Sequence, residues 1–183
     1  GRITTELMVS RDTIDWTRVK GKGRFFSIGE PGSWDAGMVF LSPPLIMNDQ
    51  LWFYYGGWKE DHDADENSAA IGLATLRLDG FVCLKSEQDS GTVTTKPFQL
   101  TGRWLQVNAD AQQGELRVEV LDENGKPIKD FTKTTCEPIT TDGLRQRVSW
   151  SAPTQLVSLR GETIRLRFHL SGETQLYAFA FTE

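Results

Sequence analysis

The sequence predicts an all-β protein whose larger part is an antiparallel β-sandwich of the jelly-roll or concanavalin-like kind, preceded by a group of hairpin strands. Three observations predict it. Apolar residues alternate or run in short blocks, and nowhere do they recur at the helical period. Gly, Asp, Asn and Pro separate those blocks at short intervals. Two later stretches alternate apolar with charged residues, as antiparallel strands with one wet face do.

Taken in order, ELMVS (6–10) reads as the first strand, and RDTIDWTRV (11–19) as a polar turn leading into another. FFSI (25–28) is a short strand before the Gly- and Pro-rich loop GEPGSWD. LIMNDQLWFYY is a hairpin, with Asn48-Asp49 at its turn. GGW and the acidic run KEDHDADENS form a long loop, AAIGLATLRL (69–78) is a strand, and Asp79-Gly80 turns the chain into FVCL. LWFYY is apolar on both faces, which predicts a strand covered on both sides, either by the C-terminal sandwich or by a part of the protein absent from this chain.

Six strand candidates follow between residues 91 and 183: GTVTTKPFQL, RWLQVNAD, GELRVEVLD, LRQRVSW, TIRLRFHL and QLYAFAF. Leu116, Val118 and Val120 point one way while Arg117 and Glu119 point the other. Ile164, Leu166, Phe168 and Leu170 point inward, leaving Arg165, Arg167 and His169 outside. That outer row is either the ordinary wet face of a sheet or a polar ligand-binding face. Asn124-Gly125 marks a tight turn. The change of pattern places a domain boundary in KSEQDSG, giving hairpins over 1–88 and a sandwich over 89–183.

Composition narrows the function. The 183 residues carry a net charge of −5 with both signs interspersed, so no basic face exists to grip nucleic acid. No segment is apolar for long enough to span a bilayer as a helix. Cys83 and Cys136 stand far apart and outside any CxxC pattern, which argues against structural zinc and leaves open a disulfide or two thiols. There is no GxSxG, and no Gly-rich phosphate loop. The opening GRITTELMVS has neither an initiator Met nor the order of a signal peptide, so the chain is expected to be processed or part of something longer.

SRDTIDWTRV (10–19) resembles the Ser-Arg-Asp-Gly-x-x-Trp-Thr segment that ends a blade in five-bladed β-propeller glycoside hydrolases of the family 32 and 43 type, with Thr13 in place of Gly. GSWDAGMVF, SPPLIMNDQLWFYYGGW and AAIGLATLRLDGF resemble the last blade of the same proteins. The resemblance implies propeller-blade-like hairpins followed by a C-terminal sandwich, a carbohydrate partner and a secreted or periplasmic location. The family's catalytic carboxylates come from earlier blades, which would precede residue 1. Glycoside hydrolysis needs two flanking carboxylates, and no motif here singles out such a pair. The expectation is therefore a carbohydrate-binding or accessory module without a complete catalytic site. The alternatives are a glycosidase subunit with Asp35 in its carboxylate pair, and a purely structural sandwich.

The candidate sugar contacts are Trp34, Asp35, Tyr55, Trp58 and His62. An indole stacks on the C–H face of a pyranose, and a carboxylate accepts hydrogen bonds from its hydroxyls; the competing reading is that the aromatics pack and Asp35 caps a turn. Gly56-Gly57 permits close backbone approach or positive φ. The resemblance adds His62, because some relatives of the family 43 type place a last-blade histidine beside a metal at the propeller axis. Asp61, Asp63 and Asp65 alternate like a calcium loop, but Glu66 and Gly72 occupy the sixth and twelfth positions where an EF-hand needs Gly and Glu, so a solvated acidic loop is favoured. An unpaired strand edge of a truncated blade predicts a homodimer or a domain-swapped assembly.

Overall fold

A computed structural model describes residues 1–19, 24–86 and 88–183. It is all-β apart from one short 3-10 turn at Leu156–Leu159. The chain divides into two compact units, Gly1–Leu78 and Asp79–Glu183.

The first unit begins with four short strands. β1 (Thr5–Glu6) pairs with β4 (Arg24–Phe26), and β2 (Met8–Val9) pairs with β3 (Thr17–Arg18), all antiparallel. The β2–β3 loop is folded by Asp12, whose carboxylate accepts the amides of Ile14 and Asp15, both at 2.9 Å. These bonds hold the Asp12 carboxyl below its ordinary range, with smaller help from Ser10. Thr13 in the same loop has φ 65°, the left-handed region that glycine favours.

The main sheet of this unit is antiparallel and centred on β7 (Gln50–Trp58). Along one edge of β7 run β5 (Met38–Leu41) and β6 (Leu45–Met47), and along the other runs β8 (Ala69–Arg77). β5 and β6 are in effect one strand broken at Ser42-Pro43-Pro44, where two prolines cannot donate to the ladder. The β6–β7 turn is Asn48-Asp49, with φ 50° and 60°, as a two-residue primed hairpin turn requires.

Alternation sorts the sheet's side chains. Leu51, Phe53, Tyr55 and Gly57 lie on one face, where Leu51 and Phe53 are buried and Phe53 meets the edge of Phe25. Trp52, Tyr54, Gly56 and Trp58 lie on the other, where Tyr54 stands open. One of the two faces of LWFYY expected to be covered is thus open in this chain.

The second unit is an antiparallel β-sandwich. One sheet is centred on β15 (Thr163–Gly172), with β13 (Gly114–Asp122) on one edge and β10 (Ser90–Thr94) and β11 (Phe98–Gln99) in succession on the other. The second sheet runs β14 (Asp142–Arg147), β12 (Trp104–Asp110), β16 (Gln175–Thr182), β9 (Leu84–Lys85). The inward rows of both sheets, among them Leu105, Val107, Val118, Leu166 and Phe168, merge in one core. Leu84–Lys85, grouped by the sequence reading with the hairpins, pairs instead with β16 of the sandwich, because the Asp79 turn (φ 58°) has already redirected the chain. Cys83 and Cys136 are unpaired thiols. Burial pushes the Cys136 thiol up to about 11, and its sulfur accepts the Val118 amide at 3.2 Å, so it is a packing group rather than a nucleophile.

Candidate functional site

The site is built by the loop between β4 and β5. Glu30-Pro31-Gly32-Ser33 is a β-turn in which Ser33 N–H donates to the Glu30 carbonyl at 2.9 Å. Proline supplies the first central φ, and Gly32, at φ 95°, supplies a second that other residues resist. The turn delivers Trp34 and Asp35 onto the β7 sheet. Two backbone bonds pin the loop: Gly29 N–H to the Asp35 carbonyl at 3.0 Å, and Gly37 N–H to the Trp58 carbonyl at 2.8 Å.

Trp34 stacks on Tyr55 with ring centroids 5.5 Å apart and planes 23° from parallel. Its six-membered ring lies over Gly57; a Cβ there would stand 2.5 Å from Trp34 Cζ3. Gly57 thus serves close approach, one of the two roles expected of the Gly-Gly pair. Tyr55 is held from another side by the edge of Phe26, at 4.8 Å and 68°. So seated, Trp34 remains 40% exposed, enough to present an indole surface to solvent.

Asp35 stands beside that surface. One carboxylate oxygen accepts the Ser33 hydroxyl at 2.8 Å and the other accepts the Tyr55 hydroxyl at 3.0 Å. Burial, and then the neighbouring Asp35 carboxylate, raise the Tyr55 phenol above its ordinary value, so it stays protonated and donating. Each carboxylate oxygen retains a further lone pair for an incoming hydroxyl.

Of the five sequence-predicted sugar contacts, the structure brings together Trp34, Asp35 and Tyr55. Trp58 does not join them. One residue beyond Gly57, it projects from the opposite face of β7, folds over Gly56 and meets the edge of Phe40 at 5.4 Å. A single sheet separates it from Trp34, so the two indoles do not share a platform. His62 lies exposed in the acidic loop, and among the described residues no hydrogen bond or ring contact joins its imidazole to the Trp34–Tyr55 cluster.

Asp61, Asp63 and Asp65, whose alternation resembles a calcium loop, do not converge. Among the described residues no group of three or more His, Cys, Asp or Glu side chains is placed to hold a metal ion. The alternation turns the acids toward different partners: Asp63 takes the Gly1 amine, while Asp61 faces Arg2 at 3.9 Å. The loop is closed at its base by Glu60, whose carboxylate accepts the Ser68 amide at 2.8 Å.

On the sandwich, the outer row of β15 is occupied internally. Arg167 pairs with Glu119 at 3.2 Å, and Arg165 donates to the Glu123 carbonyl at 3.1 Å. His169 Nε2 lies 3.4 Å from a Glu119 carboxylate oxygen. Burial holds the His169 imidazole below its ordinary value, against the opposing pull of Glu119.

Sequence reasoning missed Ser33 and Phe26, and that Trp34 is the group Gly57 admits. The signal for Ser33 was its place two residues before Asp35, directly after Pro-Gly. It also missed a small cavity of about 100 Å³ in the sandwich, beside Trp104, Trp150 and Gln155, where the Arg147 guanidinium lies 3.3 Å from the Trp104 ring centroid. No family model matches the chain, and neither curated proteins nor solved structures match it.

Proposed function

We propose that this chain is a carbohydrate-binding accessory module of a glycoside-hydrolase-like protein that acts outside the cytoplasm, with Trp34 as its stacking platform. One observation carries the reading: an indole 40% exposed, immobilised on Tyr55 and Gly57, with a carboxylate next to it whose geometry is already fixed. A rigid aromatic surface beside a preset acceptor suits a sugar ring, which offers one apolar face and a rim of hydroxyls. Thr13 adds support for the resemblance to the propeller enzymes, since it adopts a left-handed φ at the position where the resembled segment carries Gly.

In this reading Trp34 covers the sugar's C–H face and Asp35 accepts from its hydroxyls. Tyr55 and Ser33 are positioning residues that keep the carboxylate and indole in register. The test is a titration with a panel of soluble oligosaccharides, followed by tryptophan fluorescence. Binding that is lost in Trp34→Ala and retained in Trp58→Ala is the expected result. Absence of binding to every glycan, or binding indifferent to Trp34, would overturn the reading.

A further inference from the structure

The face of the β7 sheet opposite Trp34 is apolar and open. Phe40 is 48% exposed, Leu45 53%, Met47 41%, Tyr54 45%, Ile71 80% and Leu73 44%. Register places all six on one side: Phe40 opposite Gly56, Leu45 opposite Trp52, Met47 opposite Gln50, Ile71 opposite Gly56 and Leu73 opposite Tyr54. Scattered exposed hydrophobics are ordinary, but a contiguous set on one sheet face marks an interface.

We propose that this face is the contact of a homodimer, in which two copies of the chain stack sheet against sheet. Four of the six side chains are aliphatic or thioether (Leu45, Met47, Ile71, Leu73), which suits packing against protein and offers nothing to a sugar's hydroxyls. Scaled by their exposures, the six leave roughly 600 Å² open, near the upper end for a monomer. With half-buried Trp52 and Trp58 beside them, that approaches the ~800 Å² which each partner of a stable complex buries.

Charge points to a like partner. Among the described residues of the four strands the one charged side chain is Arg77, at the end of β8. A face with a single charge, at one rim opposite Gln50, has little with which to repel its copy. If the strands run antiparallel across a two-fold axis, the two Arg77 ends lie at opposite rims. Aligned packing of two twisted antiparallel sheets is a standard geometry, and both faces can interdigitate. This replaces the edge pairing expected from the sequence with face pairing.

Sedimentation equilibrium of the full chain from about 1 to about 100 µM tests it. The expected result is a monomer–dimer equilibrium in which Leu45→Lys and Ile71→Lys each raise the dimer Kd at least about tenfold, since each would bury an unpaired charge. Ile14→Lys, on the β2–β3 loop, should leave it unchanged. Leu45 lies on the far side of β7 from the free edge of β8, so a dimer indifferent to Leu45→Lys would mean edge pairing and overturn the proposal. A monomer throughout the range would also overturn it and assign the face to a different partner.

Discussion

In the sandwich unit Leu105, Val107, Val118, Ile164 and Phe168 come from two facing sheets and are at most 1% exposed. In the β7 sheet Val39, Leu51 and Phe53 reach comparable burial on one side, while Phe40, Tyr54 and Ile71 on the other do not. Both units are antiparallel and rich in β-branched and aromatic residues. The sandwich spends its apolar surface on its own stability; the sheet unit leaves two apolar surfaces outward, one small, aromatic and rigid around Trp34, one broad and mostly aliphatic around Ile71. The difference teaches that strand pattern alone does not say whether an apolar face is core or contact.

The largest effect expected from breaking this contrast is in the sandwich core. Phe168→Ala should cost about 3–5 kcal/mol in a urea titration followed by circular dichroism, because a fully enclosed ring leaves a cavity. Ile71→Ala, on the open face, should cost far less at concentrations where the chain is monomeric. Equal losses would mean that the open face is buried in solution.

Gly57→Ala comes next. Its Cβ would stand 2.5 Å from the Trp34 ring, so either the indole or the strand must move. A loss of about 1–3 kcal/mol is expected, together with weakened glycan binding in the fluorescence titration. Unchanged stability and binding would show that Trp34 does not sit there.

The sandwich should also respond to pH through His169, which faces Glu119 and Arg117 of β13, Arg167 of its own strand, and Lys133. Burial, the leading cause, holds its folded-state value below the ordinary 6.5. Above that pH the imidazole is neutral in both states and has no effect. As pH falls through it, the unfolded chain takes up a proton that the folded chain resists, so stability declines. Thermal melts from pH 7 to 5 should show a smaller decline in His169→Gln than in the wild type; identical slopes would contradict the account.

The smallest effect concerns Thr13. Relief of a β-branched residue from φ 65° should make Thr13→Gly more stable by about 0.5–1 kcal/mol, after the entropy of the added glycine. Destabilisation in the same melt would mean that the bond from the Thr13 hydroxyl to the Asp12 carbonyl, at 2.6 Å, outweighs the strain.

Much of the fold was legible because it is written in local chemistry. Asn48-Asp49 forecast the hairpin it makes, since few residues accept two positive φ values in a row. The alternation of 116–120 and 164–170 forecast which side chains meet in the core. The candidate site was half legible. Trp34-Asp35 drew attention as a pair, and Tyr55 joined it. Trp58 was grouped with them because sequence proximity hides the two-residue period that sends Gly57 and Trp58 to opposite faces. What covers the far face of β7 was not legible, because an apolar strand reads the same whether its cover is present or absent. The acidic loop was ambiguous for a related reason: alternating aspartates share a sequence signature with a calcium loop, but ligation needs them to converge, and convergence depends on backbone turns that the alternation does not encode.

The most direct measurement of the central claim is a ¹⁵N–¹H spectrum of the indole N–H groups during a glycan titration, with Trp34 assigned by Trp34→Phe. The account predicts that the Trp34 signal shifts in a saturable way while those of Trp58, Trp104 and Trp150 stay in place. A shift confined to Trp58 or Trp104, or none at saturating glycan, would contradict it.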